Sequence, residues 1–281
     1  MRQKLKYTIY DIPIADMDVD MNVDMDVDMN VDKDVDMDVD MDATAINTAH
    51  IYFIEGGISS GKTTIIESLR PEYDVFEEPL ESWQTDYKLG DKNILELLYS
   101  DMKEHGFKFE MMSMVTRFKQ LMLAIDTAAK THRPVIIERS YMCCRKVFAQ
   151  NLYNNGMLNE LEWKIYTESH AMFSQLMKSL LSPHRVRYLY IRTSPAECFA
   201  RKTNRARTEE SEVQPEYFEQ LHVLHDSWLL GVECKGVECS VGYSDDGCTD
   251  DSVGCRVEYS VSIDGDRTHA EVLADVKKYI V

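Results

Sequence analysis

Nine consecutive residues, Gly56-Gly57-Ile58-Ser59-Ser60-Gly61-Lys62-Thr63-Thr64, place glycines, small hydroxyls and one lysine in the spacing G-x-x-x-x-G-K-[ST]. Glycines allow successive backbone N–H groups to curl round an anion, and a helix starting at the last glycine adds partial positive charge. In such a loop Lys62 reaches the β and γ phosphates and the Thr63 hydroxyl holds Mg²⁺, so the run predicts binding of a nucleoside triphosphate. Its context agrees: the apolar stretch Ile51-Tyr52-Phe53-Ile54 enters the loop and Ile65-Ile66-Glu67-Ser68-Leu69 leaves it.

Three further clusters carry acid, base or cationic chemistry. Glu77-Glu78-Pro79 follows an apolar run, where a carboxylate beside the phosphate loop suits a general base for an attacking hydroxyl; the same residues also read as an acidic turn before a proline. Glu138-Arg139-Ser140 ends another apolar run and reads either as site chemistry or as a structural ion pair. Arg201, Arg205 and Arg207 occupy a helix end ahead of Glu209-Glu210. A solvated charged face would look the same, but following a strand of a phosphate-loop protein they suit a lid closing over the transferring phosphates.

The elements that must position these groups follow from hydrophobic patterning. Strands are predicted over residues 50–55, 74–77, 134–138, 186–192 and 257–264. Helices are predicted over 61–69, 93–102, 109–130, 142–154, 160–181, 195–203, 214–229 and 269–280. Short apolar runs alternating with long helical periods predict an α/β fold of the P-loop type, a five-stranded parallel sheet with helices on both faces and a lid, its site at the strand C-terminal ends.

Composition bounds the rest. The 281 residues carry a net charge of −18, but 12 aspartates and one lysine between Asp16 and Asp42 account for −11 and leave −7. Residues 1–47, dominated by a Met-Asp-Val-Asp repeat, are expected to be a disordered acidic tail, and 48–281 the phosphate-loop domain. Within that domain 231–255, with Cys234, Cys239, Cys248 and Cys255, is expected to be a surface insertion. A mildly acidic body without a basic stripe argues against nucleic-acid binding. No run is long and apolar enough to span a membrane, and seven cysteines without a disulfide framework suggest a reducing compartment, so the expectation is a cytoplasmic protein with no membrane partner.

Taken together these residues resemble the deoxyribonucleoside kinases, over roughly residues 50 to 230 and again in the last strand and helix. The resemblance rests on the phosphate loop, Glu78-Pro79 with Trp83, Tyr99, Phe109, Glu138-Arg139-Ser140, Phe148-Ala149-Gln150-Asn151-Leu152-Tyr153, Arg192-Thr193-Ser194-Pro195 and Arg205-Ala206-Arg207-Thr208-Glu209-Glu210. It implies transfer of the γ-phosphoryl of ATP, with Mg²⁺, to a deoxyribonucleoside 5′-hydroxyl. Glu78 would take the hydroxyl proton, Arg139 would hold that hydroxyl, and Tyr99 and Glu210 would bind the 3′-hydroxyl. Glu138 would order the metal with Thr63, and Arg201, Arg205 and Arg207 would be the lid arginines. Trp83, Phe109 and Phe148 would form the slot for the base, and Asp264 and Asp266 would lie in the loop against the donor base. Members of the family are usually homodimers.

The chain departs from the family where the base is read. The family's glutamine is replaced by Glu110, and Arg117, seven residues on, meets Cys144 where an aspartate is expected. An ionised Glu110 only accepts, which opposes the N3 lone pair of cytosine and favours deoxyguanosine or thymidine. A buried, protonated Glu110 would instead imitate the glutamine. The rival readings are a nucleoside monophosphate kinase and a nucleotide-binding subunit without turnover.

Overall fold

The computed structural model describes residues 49–181, 184–210, 213–231 and 256–280. The expected acidic tail (1–47) and nearly all of the expected cysteine-rich insertion lie outside the described residues.

In chain order the elements are β1 (His50–Glu55), α1 (Lys62–Leu69), β2 (Asp74–Phe76), α2 (Leu80–Thr85), β3 (Lys88–Leu89), β4 (Lys92–Asn93), α3 (Ile94–Ser100), α4 (Met102–Thr131) and β5 (Val135–Glu138). A short α5 (Tyr141–Cys143) runs through a π-helical turn (Cys144–Phe148) into α6 (Ala149–Asn154). Then come α7 (Glu160–Leu181), β6 (Arg185–Arg192), α8 (Pro195–Arg205), a 3₁₀ turn (Thr208–Glu210), α9 (Pro215–Leu230), β7 (Arg256–Asp264) and α10 (His269–Tyr279).

Five strands make one parallel sheet in the order β2-β5-β1-β6-β7, and β3 and β4 form a separate hairpin. Parallel neighbours need helical crossovers, which cover both faces and make the central strand apolar throughout. β1 shows this directly. Ile51 and Phe53 pack with α4 and α7 residues such as Phe118, Leu121 and Tyr166, whereas Tyr52 and Ile54 pack with Ile66 and Leu69 of α1 and Val276 of α10. The chain leaves β1 toward one edge and later crosses to the other, so a crevice opens at the C-terminal ends of β1 and β5. No helix among the described residues is long and apolar enough to cross a membrane.

All five predicted strands are present, with ends shifted by a residue. α4 starts seven residues earlier than periodicity predicts. The Asp101 carboxylate caps it by accepting from the N–H groups of Lys103 and Glu104, both at 3.0 Å. Gly106 sits inside α4, where a Cβ would come within 3.1 Å of Leu152 Cδ1. The helix predicted over 142–154 is interrupted by the π-helical turn, and α2 and the hairpin were not anticipated.

Candidate active site

The loop after β1 is built for an anion. At Gly56 φ is +152°, and a Cβ would lie 2.6 Å from Ser60 Oγ and 2.7 Å from the Ile191 carbonyl oxygen, so only glycine fits. Gly61, at φ +98°, is the N-cap of α1, and no side chain caps it. The first N–H groups of that helix are therefore left for a ligand. Lys62 is buried, its Nζ donating to the carbonyls of Gly56 (3.1 Å) and Gly57 (2.6 Å). Burial and the neighbouring Arg139 pull its pKa down to about 8, against the opposing pull of Glu138 and Glu78.

Beside the loop the strand ends supply carboxylates and a guanidinium. Glu138, at the end of β5, accepts from Thr63 Oγ1 at 2.9 Å, and its other oxygen lies 3.4 Å from the backbone N–H of Glu78. Arg139 follows with φ +62°, a left-handed conformation that turns the chain sharply after the strand. Its guanidinium donates to Gly56 O (2.7 Å) and Gly57 O (3.3 Å), lies over the Phe148 ring, and pairs through Nε with Glu78 at 3.4 Å. Glu78 also forms an ion pair with Arg117. Burial alone would raise the Glu78 pKa; Arg117, Arg139 and Lys62 outweigh it and hold the carboxyl well below its usual range.

A cavity of about 370 Å³ runs from this cluster to the start of α4. Residues 58–64 form its phosphate end, with Arg201, Arg205 and Arg207 beside them. Glu78, Glu138 and Arg139 line the middle, and Tyr99 and Glu210 also face the space. Trp83, Phe109, Phe148, Glu110 and Arg117 line the rest. Trp83 is fixed by its N–H donating to Thr116 Oγ1 at 3.0 Å and by an edge contact with Phe109, ring centroids 5.5 Å apart. Burial raises Tyr99 well above the ordinary phenol range, so it stays neutral.

Arg201, Arg205 and Arg207, expected as lid arginines, already have partners. Arg201 is held by Glu197 (2.8 Å), Ser60 O (3.2 Å) and Gly265 O (3.1 Å). Glu210 takes Arg205 at 2.5 Å and Arg207 at 3.7 Å.

At the far end of the cavity Glu110 is enclosed. Its side chain is 2% exposed, its Oε2 is buried without a partner, and burial, partly opposed by Arg117, raises its pKa to about 8. The residue is therefore mostly a neutral acid at pH 7, one donor and one acceptor. Arg117 spends one Nη on Glu78 and its Nε on Ser113 Oγ (3.3 Å), which leaves Nη1 buried and unpartnered.

Some expected residues are not on the wall. Cys144 is fully buried behind Ser113, Sγ to Oγ 3.6 Å, because the π-helical turn points it at α4. Gly56 and Gly57 lie behind the loop as acceptors for Lys62 and Arg139. Asp264 and Asp266 also stand off the cavity. Asp266 accepts from Ser194 N–H at 2.9 Å, and Asp264 from the backbone N–H of Asp266 at 3.1 Å. Seven lining residues escaped the sequence reading, the apolar Leu80, Leu95, Leu98 and Leu152 and the polar Glu67, Ser113 and Tyr217. Ser113 was accessible to it, since Glu110, Ser113 and Arg117 share one helical face; Tyr217 carries no local signal.

The description "deoxynucleoside kinase" belongs to the family model that matches residues 52–258. Similar proteins include a probable deoxycytidine kinase of fowlpox virus, 36% identical over 177 residues, covering 63% of this chain and 70% of the viral one. The mitochondrial deoxyguanosine kinase of Xenopus laevis is 35% identical over 191 residues, covering 63% and 71%. Bovine deoxycytidine kinase is 31% identical over 195 residues, covering 63% and 74%.

Proposed function

The chain belongs to the deoxynucleoside kinase family, and on that premise we propose that it moves the γ-phosphoryl of ATP onto the 5′-hydroxyl of a deoxyribonucleoside in nucleotide salvage, with Glu78 as general base. The observation that carries this reading is the placement of Glu78, ionised and ion-paired to Arg139, beside Lys62 and the Thr63–Glu138 pair on one cavity wall. The 5′-oxygen attacks the γ-phosphorus, the bond to the ADP oxygen breaks with its electron pair leaving on ADP, and the hydroxyl proton passes to Glu78. A carboxylate held at low proton affinity takes that proton late, once the new P–O bond has begun to form, as suits a loose transition state.

Lys62 and the lid arginines neutralise charge on the transferred group. Thr63 and Glu138 offer oxygen donors only, a set that fits Mg²⁺. Bound there, the ion would offset negative charge on the β and γ phosphate oxygens.

The aromatic slot of Trp83, Phe109 and Phe148 takes the base, and Tyr99 and Glu210 take the 3′-hydroxyl. Neutral Glu110 reads the base as an amide would, with its O–H donating and its carbonyl accepting. That arrangement admits cytosine through N3 and N4–H as well as guanine and thymine, so the strict preference expected of an ionised Glu110 gives way to a broader one near neutral pH. A monophosphate acceptor fits less well, because Glu78 and Glu110 place two carboxyl groups at the acceptor end. We also propose a homodimer: Leu161, Ile165, Met172, Leu176 and Leu180 form an exposed apolar stripe along α7 that a second copy would cover.

The test is ATP-dependent phosphorylation of the four deoxynucleosides with Mg²⁺, run beside Glu78→Gln. Turnover that persists in that variant overturns the base assignment, and no turnover with any deoxynucleoside overturns the substrate class.

A further inference from the structure

A second group of ligand-type side chains is closed off beneath the phosphate loop. Glu55 ends β1, Cys143 ends α5, and His225 lies in α9; each is fully buried, and one ligand atom from each lies within 4.8 Å of the others. None of the three lines the cavity. The imidazole is already oriented: its Nδ1 meets the Leu221 carbonyl oxygen at 2.7 Å, so Nδ1 carries the proton and the Nε2 lone pair faces Cys143 Sγ at 3.8 Å. A backbone carbonyl on the remote nitrogen is the usual second support of a metal-ligating histidine. One Glu55 oxygen accepts from Ser140 N–H at 2.7 Å, while Oε2 is buried with no partner at all. An unpartnered carboxylate oxygen in a dry interior marks a missing ligand.

The Cys143–His225 spacing suits zinc, and the Glu55 carboxylate, within 4.8 Å, would close in on the ion. Sulfur at about 2.3 Å and imidazole nitrogen at about 2.0–2.1 Å from a tetrahedral ion stand roughly 3.6 Å apart, close to the observed separation. Thiolate and imidazole favour zinc over magnesium, which wants oxygen ligands. We propose that Glu55, Cys143 and His225 form a binding site for a zinc-class divalent cation, separate from the catalytic metal position at Thr63 and Glu138. Binding expels the Cys143 thiol proton and any proton on Glu55, so thiolate and carboxylate together balance the two positive charges. Burial and the Glu55 charge push the Cys143 thiol well above its ordinary range, so the bound cation must drive the deprotonation, helped by Arg139 Nη1 at 3.7 Å from Sγ. The ion would pin the ends of β1 and α5 to the interior of α9, which makes thermal stability depend on zinc.

The experiment uses the full chain, stripped with a chelator and then equilibrated with Zn²⁺ or Co²⁺. Cys234, Cys239, Cys248 and Cys255 can also take zinc, so a full chain with these four changed to serine serves as the reference. Expected there are one equivalent of zinc, a thiolate-to-cobalt charge-transfer band, and a Tm that rises with zinc concentration. Cys143→Ser and His225→Gln in the same background should each lose the equivalent and the zinc-dependent Tm shift. No bound equivalent and no cobalt–thiolate band in the reference chain overturns the site, as does equal zinc retention in both variants. Should either variant fail to fold, the reference chain's zinc count and cobalt spectrum still decide.

Discussion

Raising the pH from 7 to 9 should change which nucleosides the protein prefers. With its pKa raised to about 8 by burial, Glu110 is roughly nine-tenths protonated at pH 7 and one-tenth at pH 9. Only the protonated form can donate to cytosine N3; the ionised form places a second lone pair there but still accepts from guanine N1–H or thymine N3–H. The ratio of kcat/KM for deoxycytidine to that for deoxyguanosine should therefore fall about tenfold between pH 7 and 9. A ratio is the right readout because Lys62, whose pKa is also near 8, titrates in the same window and affects the shared chemical step for both substrates. The assay is steady-state phosphorylation of the two nucleosides in mixed competition across that range, with Glu110→Gln in parallel. Glutamine does not titrate, so its ratio should be flat and stay at the deoxycytidine-tolerant value. A flat ratio in the wild type, or an equal slope in Glu110→Gln, would refute the assignment of base reading to a neutral Glu110.

Lys62→Ala and Glu78→Gln should each lower kcat by about 10²–10⁴-fold with little change in Tm; near-normal turnover in a folded variant removes the residue from the mechanism. Gly265→Ala should destabilise by about 1–3 kcal/mol in urea unfolding, because its Cβ would sit 2.1 Å from Thr193 Oγ1 and 2.9 Å from Ile191 Cγ2. An unchanged midpoint would mean that the turn after β7 yields freely. Acid should destabilise the fold through two imidazoles that burial holds neutral, His170 with a pKa of about 4 and His225 of about 3. Below pH 6.5 the unfolded chain binds protons that the native one refuses, so stability present above 6.5 is lost as pH falls toward those values. The loss approaches 1.4 kcal/mol per pH unit for each imidazole. Urea midpoints at pH 7 and 5 check this, and His170→Gln should reduce the difference.

The phosphate loop and the sheet were legible because their signals are local. A parallel strand buried on both faces is an apolar run, and Gly56, Gly61 and Lys62 mark the turn that follows one. What stayed hidden depends on distant contacts. Gly106 lies in α4 where a Cβ would meet Leu152. The π-helical turn that buries Cys144 against Ser113 leaves no periodic trace. The ionisation of Glu110 is a property of its enclosure, and Cys143 meets His225 across 82 positions of chain.

Glu210 has a double attachment, to Arg205 and Arg207 and to the cavity it lines. Its carboxylate pairs with two of the cations that, on the proposed function, a triphosphate would need. On the same reading, a nucleoside 3′-hydroxyl that engages Glu210 would compete with the arginines for that carboxylate. On the proposed function, the ion pair would couple the acceptor end of the cavity to its phosphate end.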